Sequence, residues 1–175
     1  MKNKREVWQR GPVENIPALL QPVAHAFLQA KEELDEMMLN FPEDLLWERP
    51  GGVASPAFHL QHLTGVLDRL FTYAKEQALT AEQLYSLSIE GNKEKCAMNL
   101  STLLELFHKQ VDLSLDELSK TNIDTLTDKR EIGRQKIPTT LIGLYFHAAE
   151  HTMRHIGQLL VTVRVVQAIR ISNNL

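Results

Sequence analysis

The chain has 175 residues, 43% of them hydrophobic and 23% charged, with a formal net charge of −3 and a pI near 6.2. That is enough chain to bury a core as one domain over residues 1–175, with an arm at 1–15, and too little positive charge for the electrostatic footprint of a nucleic-acid binder. No run approaches the ~20 apolar residues of a membrane span, and one cysteine, Cys96, excludes an internal disulfide or a multi-cysteine metal site, so the expected home is the cytoplasm.

In chain order, residues 1–10 are polar apart from Val7 and Trp8, and an ordered arm requires Trp8 to dock on the body. After the breaker Gly11-Pro12, apolar residues recur at three-and-four spacing from Leu19 to Met38, which predicts a helix whose regular part starts near Gln21. His25 falls beside that stripe. Phe41-Pro42 ends the helix, and Trp47 to Gly52 is too rich in breakers to be helical. Ser55 offers an N-cap and Pro56 suits the first helical position, so a second helix runs to about Gln77 with Leu63, Val66, Leu67, Leu70 and Ala74 inward. It carries His59 and His62.

Thr80 to Gln83 matches a capping box and predicts a short helix over 81–87. A further helix spans Leu100 to Leu118, with His108 at the margin of its apolar stripe. Residues 122–136 are charged and lack apolar periodicity, so a long crossing loop is expected there. The last helix begins around Pro138 and reaches about Ala168, carrying His147, His151 and His155. With no strand predicted, the fold class is all-α: a four-helix bundle with a long crossover connection and one short extra helix.

Five of the seven histidines therefore fall on two helices. On the last helix they stand four residues apart and share one face. The outer pair, His147 and His155, is roughly 12 Å apart by helical rise, too far for one ion with metal–nitrogen bonds of about 2 Å. His147-Ala-Ala-Glu-His151 matches the H-x-x-E-H protease pattern, but that pattern wants a downstream carboxylate and none follows His151. A carboxylate-bridged di-iron site wants Glu-x-x-His on two helices. Here the residues three before the histidines are Pro56, His59, Leu144, Ala148 and Thr152. For a ligand from the second helix, the stripe of Leu63, Val66, Leu67 and Leu70 centres nearer His59, with His62 on its flank.

The sequence His151-Thr-Met-Arg-His155-Ile-Gly-Gln158, with Ser55 followed seven residues later by His62-Leu63 and with a long charged connection before the last helix, strongly resembles the DinB-like superfamily. The resemblance implies a divalent metal, zinc or nickel first and iron or manganese as alternatives, held by His62, His151 and His155. His59 is then a substitute ligand or a support, and His147 a core or neighbouring residue one turn below the ion. It further implies a small-molecule substrate attacked by a metal-activated low-molecular-weight thiol or water, as in thiol S-transferases. The rival expectation is a non-catalytic metal-binding or stress-associated dimeric bundle, and on either reading the resemblance implies a homodimer. Gly157 is expected to admit a neighbouring helix or a ligand, and Gln158 to bond near the site or to face solvent. Cys96 reads as an ordinary cysteine, and Glu150, about 100° round the helix from the ligand face, is disfavoured as a general base.

Overall fold

A computed structural model describes residues 5–173; the first four residues of the expected arm lie outside them. The chain is mostly helical: α1 is Gln21–Met38, α2 Pro56–Ala74, α3 Ala81–Ile89, α4 Leu100–Lys120 and α5 Leu141–Asn173. Each start has a local cause. Ser55 Oγ accepts from Phe58 N at 3.2 Å ahead of Pro56, and Asn99 Oδ1 accepts from Thr102 N at 2.8 Å ahead of α4. Thr80 and Gln83 satisfy each other's backbone N–H groups in a capping box at α3.

The apolar stripes of α1, α2, α4 and α5 meet in one core. Phe27 and Leu34 of α1, Leu63 and Leu67 of α2, Phe107 and Leu118 of α4, and Leu144 and Ile156 of α5 are fully buried there. Burying side chains of this size is worth about 1.5–3 kcal/mol each. The short α3 is different, since Ile89 is its one buried residue. No helix among the described residues is long and apolar enough to cross a membrane.

Two expectations are corrected. The connection before α5 is not a structureless loop, because β1, Lys129–Ile132, pairs antiparallel with β2, Ile137–Thr140, in the register Glu131↔Pro138. With four residues each, the strands are too short to show a period-two pattern in sequence. A two-stranded sheet is all edge, so Pro138 without its N–H is tolerated. The last helix accordingly starts after Thr140, whose Oγ1 accepts from Gly143 N at 3.1 Å. In the arm, Val7 is buried and bonds Gln29 Oε1 through its N–H at 2.9 Å, while Trp8 is 61% exposed. The small side chain docks; the indole does not.

The hairpin fixes how α2 and α5 lie side by side. Arg130 Nε donates to Ala74 O at the end of α2 (2.8 Å), while the first N–H groups of α5, at Leu141 and Ile142, donate to Asp128 O and Leu126 O. The end of α2 is thus tied to the start of α5. Measured back from Ala74 at 1.5 Å per residue, His62 lies about 18 Å along α2, and measured forward from Leu141, His151 and His155 lie about 15 and 21 Å along α5. His62 comes level with the gap between the other two.

Candidate metal centre

His62, His151 and His155 converge. Each can offer one ring nitrogen such that the three lie within 4.8 Å of one another, and all three rings are half-buried. His62 Nε2 is 2.9 Å from His151 Nε2, and the ring centres are 4.4 Å apart for His62 and His155 and 4.7 Å for His151 and His155. In a tetrahedral site with metal–nitrogen bonds of about 2.0–2.1 Å, neighbouring nitrogens stand roughly 3.4 Å apart, so this spacing suits a single ion.

The surroundings orient two of the rings. Glu90, one residue beyond α3, places Oε2 at 2.7 Å from His62 Nδ1 and Oε1 at 2.6 Å from Arg69 Nη1. Phe58, one turn earlier on α2, stacks on the His62 ring with centres 5.4 Å apart and planes within 10°. His59, only 4% exposed, sets its Nδ1 3.1 Å from Nδ1 of His155, which leaves Nε2 as the nitrogen of that ring outside this contact. His151 has no such support: its Nδ1 is buried and has no hydrogen-bond partner among the described residues.

Electrostatics favour neutral rings. Desolvation by burial, with repulsion from His62 added, pushes His155 and His59 down to about 4 from 6.5, and burial first, then His62, lowers His151. Burial works to raise the Glu90 carboxyl, but hydrogen bonds from His62 and Arg69 outweigh it and hold its pKa below the usual value. Metal binding needs deprotonated imidazoles, so rings that resist protonation at neutral pH fit a cation site. The donor set of three imidazoles beside a carboxylate fits a divalent metal.

The remaining residues singled out in the sequence lie as follows. His147 is exposed, not in the core; its ring centre is 5.3 Å from that of His151, and its Nδ1 is 3.7 Å from Glu150 Oε2. These three residues form a second group with potential ligand atoms close together, but Arg154 already pairs with Glu150 there. The Arg154 hydrogen bond is the main reason that the Glu150 pKa is lowered. Gly157 faces solvent with nothing within 4 Å of where a Cβ would stand, so no neighbouring helix presses on it, and Gln158 is exposed. His25 Nε2 donates to Gly11 O at 3.0 Å, and His108 sits 2.8 Å from Asp35, both away from the centre. Cys96 is a half-buried free thiol lining a mainly apolar cavity of about 330 Å³ with Ile89, Met98 and Leu103.

Glu90 is the residue that the sequence does not single out. It belongs to a polar stretch, Ser88 to Lys95, with no periodicity to mark it, and its contact with His62 spans 28 residues of chain. Gly91, with φ of +74°, is the one local signal, and it marks where α3 stops rather than where Glu90 points.

The comparisons with known proteins agree with this fold. The chain is similar to a protein from Streptococcus pneumoniae whose crystal structure was determined by the Northeast Structural Genomics Consortium. The two share 13% identity, with 84% of this chain and 89% of that one covered and a TM-score of 0.61, a likeness of fold alone. No match to a curated protein was found. The sequence profile of the DinB superfamily matches residues 26–159, from the second turn of α1 through all three converging histidines. On that match, the chain belongs to the DinB superfamily.

Proposed function

We propose that α1, α2, α4 and α5 form a four-helix bundle in which His62, His151 and His155 hold a divalent metal ion, and that the site catalyses attack of a low-molecular-weight thiol or water on a small electrophile, in the manner of a thiol S-transferase. The observation that carries the reading is the convergence of three imidazoles from two helices within 4.8 Å. Imidazole suits zinc and nickel, with iron or manganese as alternatives. When bound, such an ion lowers the pKa of a coordinated water or thiol and so supplies a nucleophile at neutral pH.

The chain's own part is to present three converging ring nitrogens and to leave a further coordination position open, as catalytic sites do. Glu90 and His59 orient His62 and His155 through their Nδ1 atoms. Cys96 lines a cavity that includes Glu90 but none of the three histidines, so the thiol in this reading comes from the substrate. Glu150, paired with Arg154, contributes negative charge next to His147 and His151 rather than a free base.

A second reading is a non-catalytic, metal-binding homodimer. It is favoured by apolar side chains that α5 leaves in solvent: Phe146 at 66% exposure, Val161 at 62% and Ile169 at 47%. Both readings place the protein in the cytoplasm. To test them, bound metal is quantified in the purified protein and in His155→Ala; equal content in the two removes the three-histidine site. Thiols are then offered with monochlorobimane. Transfer abolished by chelation and restored by zinc or nickel supports the enzyme, and transfer indifferent to chelation removes it.

A further inference from the structure

The third helix ends at a carboxylate, Glu90, that reaches His62 of the histidine cluster. α3 buries a single apolar residue, Ile89, so hydrophobic packing does little to hold it. Its attachments are polar and converge on α2. Gln83 Nε2 donates to Asp68 Oδ2 (2.9 Å) and Thr72 Oγ1 (2.8 Å), and Gly91 N donates to Gln61 Oε1 at 2.7 Å. Between these anchors Glu90, with its side chain 8% exposed, bridges Arg69, itself 10% exposed, and His62.

Two glycines make room for this arrangement. A Cβ on Gly65 would stand 2.5 Å from Arg69 Nη1 and 2.7 Å from Glu90 Oε1, so any side chain there pushes into the ion pair. A Cβ on Gly91, which has φ of +74°, would meet Phe58 Cδ2 at 2.9 Å, on the ring that stacks against His62. The backbone beyond α3 therefore comes close to α2 at the place where Glu90 reaches the histidine.

A carboxylate paired with a guanidinium only accepts hydrogen bonds, so the 2.7 Å contact requires His62 Nδ1 to carry the proton. In the neutral ring, Nε2 is then a bare lone pair, and Nε2 is the atom that faces His151. We propose that Glu90, clamped by Arg69, is the positioning residue that fixes His62 as its Nδ1–H tautomer and turns the Nε2 lone pair towards the metal. The consequence for affinity rests on the metal-centre reading above; the consequence for the tautomer does not. Partners of this kind behind a ligating histidine are worth 10–100-fold in metal affinity.

The test uses long-range 15N–1H correlation spectra of the full-length, metal-free protein at neutral pH, which report which nitrogen of His62 is protonated. Wild type should show the Nδ1–H form. Glu90→Ala and Gly65→Ala should both shift His62 towards the Nε2–H form, and Glu90→Gln, which keeps an acceptor, should retain much of the wild-type pattern. Gly65→Ala perturbs the pair without removing a charge and raises helix propensity, so it gives an answer even if Glu90→Ala fails to fold. A wild-type His62 protonated on Nε2, or Nδ1–H retained in Glu90→Ala or Gly65→Ala, overturns the proposal. Zinc affinity by chelator competition should then fall 10–100-fold in Glu90→Ala and less in Glu90→Gln. A folded Glu90→Ala that binds zinc as wild type does also overturns it. If wild type binds neither zinc nor nickel, iron or manganese, the metal reading fails, while the tautomer spectra still decide the role of Glu90.

Discussion

Acidifying the metal-free protein from about pH 7 to about pH 4.5 should remove stability through His59 and His155, the two rings whose pKa values burial pushes down to about 4 from 6.5. A lowered folded-state value means that the unfolded chain takes up protons first. The contribution is whole above about pH 6.5 and drains away as the pH falls towards 4. For His59, at 4% exposure, linkage between those two values gives a loss of about 2.5 kcal/mol at pH 4.5. His155 is half-exposed and shares one hydrogen bond with His59, so screening cuts its share and the pair together is worth about 3 kcal/mol. In a chain of this size that corresponds to a fall of about 6–12 °C in Tm. The assay is a series of urea or thermal melts in chelator, with wild type beside His59→Leu, which removes the most buried titrating ring and leaves every carboxylate in place. The stability difference between the two proteins should move by about 2 kcal/mol in favour of the variant between the two pH values. Parallel curves for wild type and variant would refute the reasoning.

Three further outcomes are expected. Ser55→Ala removes the acceptor for Phe58 N and should cost about 1 kcal/mol, read as a Tm about 2–4 °C lower with metal content unchanged. Zinc at a hundredfold excess over its Kd should stabilise wild type by about 2.7 kcal/mol and leave His62→Ala unmoved; equal stabilisation of both would mean that zinc binds elsewhere. Arg130→Ala frees the Ala74 carbonyl and loosens the tie between α2 and α5, so amide hydrogen exchange should quicken across 129–142. Exchange at the wild-type rate would show that the hairpin holds without it.

Much of the helical layout is legible because its signals are local. Ser55-Pro56 and Thr80 to Gln83 each sit within three residues of the groups they cap, and α2 and α3 begin where those side chains accept. The hairpin is not legible, because four-residue strands carry no usable alternation and because its docking depends on distant partners. Arg130 reaches Ala74 across 56 residues. Glu90 is hidden for the same reason, since an acidic residue in a polar stretch reads as solvated until Arg69 and His62 are brought to it by the fold.

The two histidines of α2 show why a stripe of apolar residues is a poor guide to which ring joins a cluster. The centre of the stripe is the most buried line on the helix, and there His59 bonds to His155 behind the converging rings. A ring that meets an ion with an open coordination position has to stand where that position can reach solvent, at the margin of the stripe. His62 is there, with its side chain 17% exposed, and His151 and His155 are likewise half-buried. Periodicity ranks residues by burial, so it selects the support ahead of the ring that joins the cluster. A seven-residue count from the Ser55 cap measures position along the helix axis, which is the coordinate that brings His62 level with His151 and His155.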